Sequence, residues 1–122
     1  MPPLRASKSL FCLLWALGSP GCGEPSAAET HPCPTEGTRL TYENFGKSFL
    51  DTRCQGCHGG RPGQRQGAPE SFAFGSHEAA RQHLDRIYAR AADDNTSMPP
   101  GPDDPPSEER ARLGEWLGCG AP

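Results

Sequence analysis

With 122 residues, 14 prolines and 15 glycines, the chain is long enough for one small domain and too rich in breakers for many long elements. Only 34% of its residues are hydrophobic, so the core is thin and calls for a staple such as a disulfide, a metal or a cofactor. The 12 basic residues are outnumbered by 15 acidic ones, lie scattered and have no aromatic ladder beside them, which excludes a nucleic-acid-binding surface.

Targeting comes first along the chain. Arg5 and Lys8 precede the apolar run Leu10-Phe11-Cys12-Leu13-Leu14-Trp15-Ala16-Leu17, which is too short to span a bilayer as a permanent helix. Residues 1–21 therefore read as a bacterial export signal. Gly18-Ser19-Pro20-Gly21-Cys22 resembles a lipoprotein signal, in which a small residue precedes a cysteine that takes the lipid and becomes the first residue of the mature chain. Such signals usually carry leucine three residues before the cysteine, where Ser19 and then Pro20 stand here. The rival is ordinary cleavage after Ser26-Ala27-Ala28, which would release a soluble protein. The expected location is the bacterial cell envelope, with Cys22 anchoring the protein to a membrane and the domain facing the periplasm. Residues 22–37, rich in Pro, Ala, Ser, Glu and Thr and without apolar periodicity, read as a flexible tether to a domain over 38–122.

The domain opens on a helix. With Thr41 as N-cap and Glu43 in the first turn, Tyr42, Phe45, Phe49 and Leu50 recur at helical spacing up to Cys54. Gly46 inside that helix costs about 1 kcal/mol relative to alanine, and close approach of another helix is the better reason for it. The helix enters Cys54-Gln55-Gly56-Cys57-His58. Two thiols three positions apart, followed by an imidazole, form the arrangement that attaches a c-type haem: each cysteine adds to a vinyl group, and the histidine coordinates the iron. Three other chemistries use the same residues. A redox-active dithiol wants a βαβ pattern that the chain lacks, a zinc site lacks a second C-x-x-C or spaced His pair, and a plain disulfide needs nothing further. The exported context favours one covalent haem c per chain, held by Cys54, Cys57 and His58.

Residues 59–74 carry no pattern. From Ser76 a second helix repeats Ala80, Leu84, Ile87, Tyr88 and Ala91 at 3.6-residue spacing, with Arg81, Asp85, Arg86 and Arg90 facing water. A third is capped by Ser107 after Pro105-Pro106, carries Glu108 and Glu109 where the helix dipole favours them, buries Leu113, Trp116 and Leu117, and is ended by Gly118 and Gly120. Of the 6 cysteines, Cys12 leaves with the signal, Cys22 takes the lipid, and Cys54 and Cys57 take the haem. Cys33 and Cys119 remain. In an oxidising compartment they are expected to pair, closing a loop that stabilises by about 4 to 5 kcal/mol on the chain-entropy model; two free thiols are the alternative.

A helix entering C-x-x-C-H, a loop-rich middle, the turn Thr96-Ser97-Met98-Pro99-Pro100 and a last helix with a buried aromatic together resemble a class I cytochrome c over residues 38–120. The resemblance implies a small all-α fold of about three helices with long loops around the haem. It implies that the first and last helices cross closely, with Gly46 and Leu50 meeting Trp116, although Leu50 replaces the usual aromatic. It also implies a proline carbonyl bonded to the second nitrogen of His58, for which Pro69 and then Pro62 are candidates. Met98 is the implied sixth iron ligand, its loop stiffened by the prolines. A core-filling methionine is the plainer reading, and His77 and His83 are rivals.

Removing Arg5 and Lys8 with the signal leaves 10 basic and 15 acidic residues, a formal −5. Asp93, Asp94, Asp103 and Asp104 flank Met98 and would steer a redox partner protein with a basic docking face; a solvated acidic loop is the alternative. The function expected is one-electron transfer, an electron carrier rather than a catalyst. Its rivals are a haem-based ligand sensor, a peroxidase-like protein, or the tethered haem subunit of a larger oxidoreductase. The anchor is tested first: labelled fatty acid should enter the wild type but not Cys22→Ala, whereas a mature N-terminus at Glu29 without label would make the protein soluble and periplasmic.

Overall fold

The computed structural model describes residues 23–59, 61, 63–102 and 104–122; residues 1–21, read above as an export signal and including Cys12, and Cys22 lie outside the described residues. Every regular element is helical: α1 (Ala27–Thr30), a π-helical turn (Tyr42–Gly46) running into α2 (Lys47–Arg53), α3 (Gln55–His58), a 3-10 turn (Glu70–Phe72), α4 (His77–Gln82), α5 (Leu84–Ala91) and α6 (Ser107–Gly118). No strand occurs among the described residues, so the fold is all-α.

Thr41 caps the first helix as its sequence position demands. Its hydroxyl accepts from the Asn44 amide at 3.2 Å, and the Asn44 side chain accepts from the Thr41 amide at 2.8 Å, a reciprocal box with asparagine in the usual glutamate place. The first turn is wide, with the Gly46 amide bonded to the Thr41 carbonyl five residues back at 3.1 Å. That extra residue keeps both Phe45 and Gly46 on the buried face. A Cβ on Gly46 would overlap the six-membered ring of Trp116, so the glycine is there for the close approach of α6. Trp116, Leu50, Leu113 and Leu117 are the largest fully buried side chains.

The second expected helix is two. His83 breaks it, with φ −120° and ψ 15° between α4 and α5, and its ring turns toward Phe72 and Phe74 at centroid distances of 5.2 and 5.8 Å. The apolar face survives the break: Ala80, Ile87, Tyr88 and Ala91 are buried and Leu84 packs beside them. Arg81 and Asp85 are exposed, but Arg86 and Arg90 are only half so, because Arg86 lies 5.7 Å from the Phe72 ring and pairs with Glu24 at 2.8 Å. On α6 the cap is Pro106, not Ser107. The extended Pro106 supplies the carbonyl for the Arg110 amide at 3.1 Å, which makes Ser107 the first helical residue, and no side-chain cap forms.

Residues 24–33, expected within a tether, lie against the domain instead. Ala27 is fully buried and its amide donates to Asp85 at 2.7 Å; His31 Nδ1 meets Asp93 at 2.9 Å; Cys33 is bonded to Cys119 with Cα atoms 4.7 Å apart. Two glycines one turn apart on α6 make room for this strap. A Cβ on Gly114 would stand 2.7 Å from the Asp93 carboxylate oxygens, and one on Gly118 would overlap the His31 carbonyl. Only Ala27 of this stretch enters the core, so its composition carries no periodicity. In chemical denaturation with the disulfide intact, Gly46→Ala and Gly118→Ala should each cost about 1 to 3 kcal/mol by overpacking, while Gly75→Ala, whose Cβ meets open space, should cost little. Equal stability of all three would contradict these contacts.

Candidate functional site

The C-x-x-C-H residues continue the first helix through a distortion at Cys54 (φ −117°, ψ −38°). The Cys57 and His58 amides both bond back to the Cys54 carbonyl, at 3.1 and 2.8 Å. Residues 72–74 clamp this turn. His58 Nδ1 lies 2.6 Å from the Phe72 carbonyl, the Phe74 amide donates to the His58 carbonyl at 2.9 Å, and Gln55 Nε2 donates to the Phe74 carbonyl at 2.6 Å. A carbonyl only accepts, so Nδ1 carries a proton, and in the neutral imidazole the lone pair is then on Nε2. The Phe74 ring stacks on the imidazole at 4.6 Å and 20°, fixing its orientation from one face.

The carbonyl that holds His58 is therefore Phe72's, where Pro69 was expected. Pro69 is otherwise engaged: its carbonyl accepts from the Phe72 amide at 3.0 Å and from the Arg65 guanidinium, which also bonds the carbonyls of Ala68 and Gly59. Pro62 lies outside the described residues. Arg65, Gln55 and the 72–74 backbone have no sequence signature. Their roles come from loop geometry that no periodicity reports.

Cys54 and Cys57 are both free thiols and half-buried. Burial, and then the neighbouring Cys57, pushes the Cys54 thiol up to about 12, which disfavours the thiolate that a redox dithiol requires. Among the described residues no three His, Cys, Asp or Glu side chains converge on a point where an ion could be held, so Cys54, Cys57 and His58 do not form a compact metal-ion site. Two separate thiols beside an oriented imidazole with a free Nε2 suit a large planar group attached at two edges, and the residues fit a haem c.

Met98 is 40% exposed, unlike the core methionine of the plainer reading. Its amide donates to the Arg90 carbonyl at 2.8 Å and its carbonyl accepts from Arg110 at 2.9 Å. The rival histidines are occupied elsewhere. His77 stacks on Tyr42 at 4.4 Å with Nε2 2.7 Å from the Ala121 carbonyl, and His83 packs on Phe72 and Phe74. Of the aspartates flanking Met98, Asp94 and Asp104 are exposed, and Asp103 lies outside the described residues. Asp93 is spent internally: it accepts from the Tyr88 hydroxyl at 2.6 Å besides meeting His31, and burial together with that bond pushes the Tyr88 phenol up to about 12. No described helix is long and apolar enough to cross a membrane.

In comparisons with known proteins, the chain matches no family model, no curated protein and no solved structure. The site thus stands on its own geometry. Phe74→Ala should lower unfolding free energy by about 3 kcal/mol, since it empties a buried ring site against His58. A loss under about 1 kcal/mol in urea would show that the clamp does not depend on that ring.

Proposed function

We propose that this protein is a one-electron carrier of the bacterial cell envelope, built on the plan of a class I cytochrome c. The observation that carries the reading is the orientation of His58: Nδ1–H is tied to the Phe72 carbonyl, Nε2 is left as a ligand, and free thiols of Cys54 and Cys57 lie in the same turn. The contact between Gly46 on the first helix and Trp116 on the last also supports it, because the family crosses its terminal helices through such a pair.

A haem c held by Cys54 and Cys57 would supply a one-electron couple. The chain's part is to hold and tune. The Phe72 carbonyl fixes the His58 tautomer and the direction in which Nε2 points. Phe74 restrains the imidazole, so the ligand does not reorient when charge changes. Met98 would offer the sixth ligand, a soft thioether that raises the potential. Lipid on Cys22 would keep the carrier at a membrane surface facing the periplasm, and Asp94 and Asp104 remain as exposed acidic groups for a partner with a basic docking face.

Met1 departs with the expected signal, so Met98 is the only thioether available. In the haem-loaded protein, the ferric form should show the weak red charge-transfer band of a sulfur–iron bond and the ferrous form should resist carbon monoxide. Met98→Ala should abolish the band, admit carbon monoxide and lower the potential. A wild type that lacks the band and binds carbon monoxide rapidly would replace the carrier with the sensor or peroxidase-like reading.

A further inference from the structure

Among the described residues Arg110 is the only charged side chain that is buried, at 2% exposure. Burying a guanidinium is costly unless its protons are bonded and its charge is balanced. Here the balance comes almost wholly from backbone. Nη1 donates to the carbonyls of Ala91 at 2.8 Å, Asn95 at 2.9 Å and Met98 at 2.9 Å, sharing its protons among three acceptors, and Nη2 reaches Asp104 at 3.4 Å. The Asp104 side chain is 55% exposed, so its charge is partly screened.

Those four partners span one loop. Ala91 ends α5, Asn95 stands in the following turn, Met98 is the thioether itself, and Asp104 lies on the return to α6. The Arg110 carbonyl adds a fifth tie by accepting from the Asp93 amide at 3.1 Å. Both backbone groups of Met98 are thereby fixed, its amide by Arg90 and its carbonyl by Arg110, while its side chain stays partly exposed. An apolar residue would fill the same helical position without the desolvation cost. What the guanidinium adds is a fixed fork that sets where the Met98 backbone sits.

We propose that Arg110 is the positioning residue for Met98, holding its backbone where the thioether can serve as sixth ligand; the inference rests on the carrier reading above. Its loss frees the loop to carry the sulfur away. The covalent attachment is untouched, because Arg110 makes no bond to the C-x-x-C-H turn or to residues 72–74.

The test uses haem-loaded, full-length wild type, Arg110→Lys, Asp104→Asn and Gly118→Ala, with Met98→Ala as reference. Arg110→Lys keeps the charge but not the fork, and Asp104→Asn disturbs the clamp from its exposed side without touching the core. Arg110→Lys should keep its covalent haem, lose most of the red band and bind carbon monoxide about tenfold faster than wild type, a loss comparable to one buried charge-assisted hydrogen bond. Asp104→Asn should move the same way by less. Gly118→Ala, destabilised at the strap, should keep band and carbon monoxide resistance. If both clamp variants keep the wild-type band and ligand resistance, or if Gly118→Ala loses them equally, Arg110 serves stability only and the proposal fails. Should Arg110→Lys not fold, Asp104→Asn decides. A wild type without the band overturns the Met98 assignment itself, which separates that failure from this one.

Discussion

The contact between Gly46 and Trp116 sets the geometry on which the rest of the structure depends. Trp116 is fully buried, and its indole lies where any side chain on Gly46 would stand. The wide turn at Tyr42–Gly46 brings that bare backbone against the ring together with Phe45, whose ring meets the indole edge-on at 6.3 Å. A large apolar surface is thus covered by few residues, which a chain with so thin a core needs. The same indole donates to the Pro122 carbonyl at 3.2 Å, and that carbonyl accepts from the Tyr42 amide at 2.7 Å, so the chain's last residue bridges the two helices.

Around that crossing α6 is used on three sides. Trp116 locates the helix that leads into Cys54, Gly114 and Gly118 receive the strap of residues 24–33, and Arg110 gathers the loop that carries Met98. The Cys33–Cys119 bond ties strap and helix together over 86 residues of sequence, a constraint acting mainly on the unfolded chain. In the proposed carrier the two residues that would ligate the iron are supported by different means. His58 is held by a loop clamped directly to its own turn, whereas Met98 hangs on a guanidinium from the neighbouring helix. Both supports are tertiary contacts, 14 residues apart in sequence for His58 and Phe72 and 12 for Met98 and Arg110, but only the first is fastened to the turn that carries the thiols, so ligation on the Met98 side could be tuned without disturbing attachment.

Side chains with a periodic or paired logic were legible in the sequence. Thr41 and Ser76 open their helices, Leu113, Trp116 and Leu117 fill the core, Gly46 marks a close approach, and the two leftover cysteines pair. What sequence missed was set by backbone or by single tertiary contacts. Nothing in Gly59–Phe74 announces that the Phe72 carbonyl, rather than a proline's, faces His58, because any residue can supply a carbonyl. Arg110 occupies a helical position one turn before Leu113, but a charge there reads as surface until three carbonyls are seen to surround it. Residues 24–33 read as tether because their docking rests on one buried alanine, one ion pair, a histidine–carboxylate hydrogen bond and a disulfide rather than on an apolar stripe. The break at His83 leaves the hydrophobic face unchanged, so the pattern could not reveal it.

In the proposed carrier Cys54 and Cys57 hold a haem covalently, and the intact mass of the exported protein, produced with a haem-attachment system and measured denatured and reduced, reads that attachment out. One haem should be added per chain, and none to the Cys54→Ala, Cys57→Ala double variant. A mature chain with no added mass, in which both thiols are open to alkylation, would contradict it.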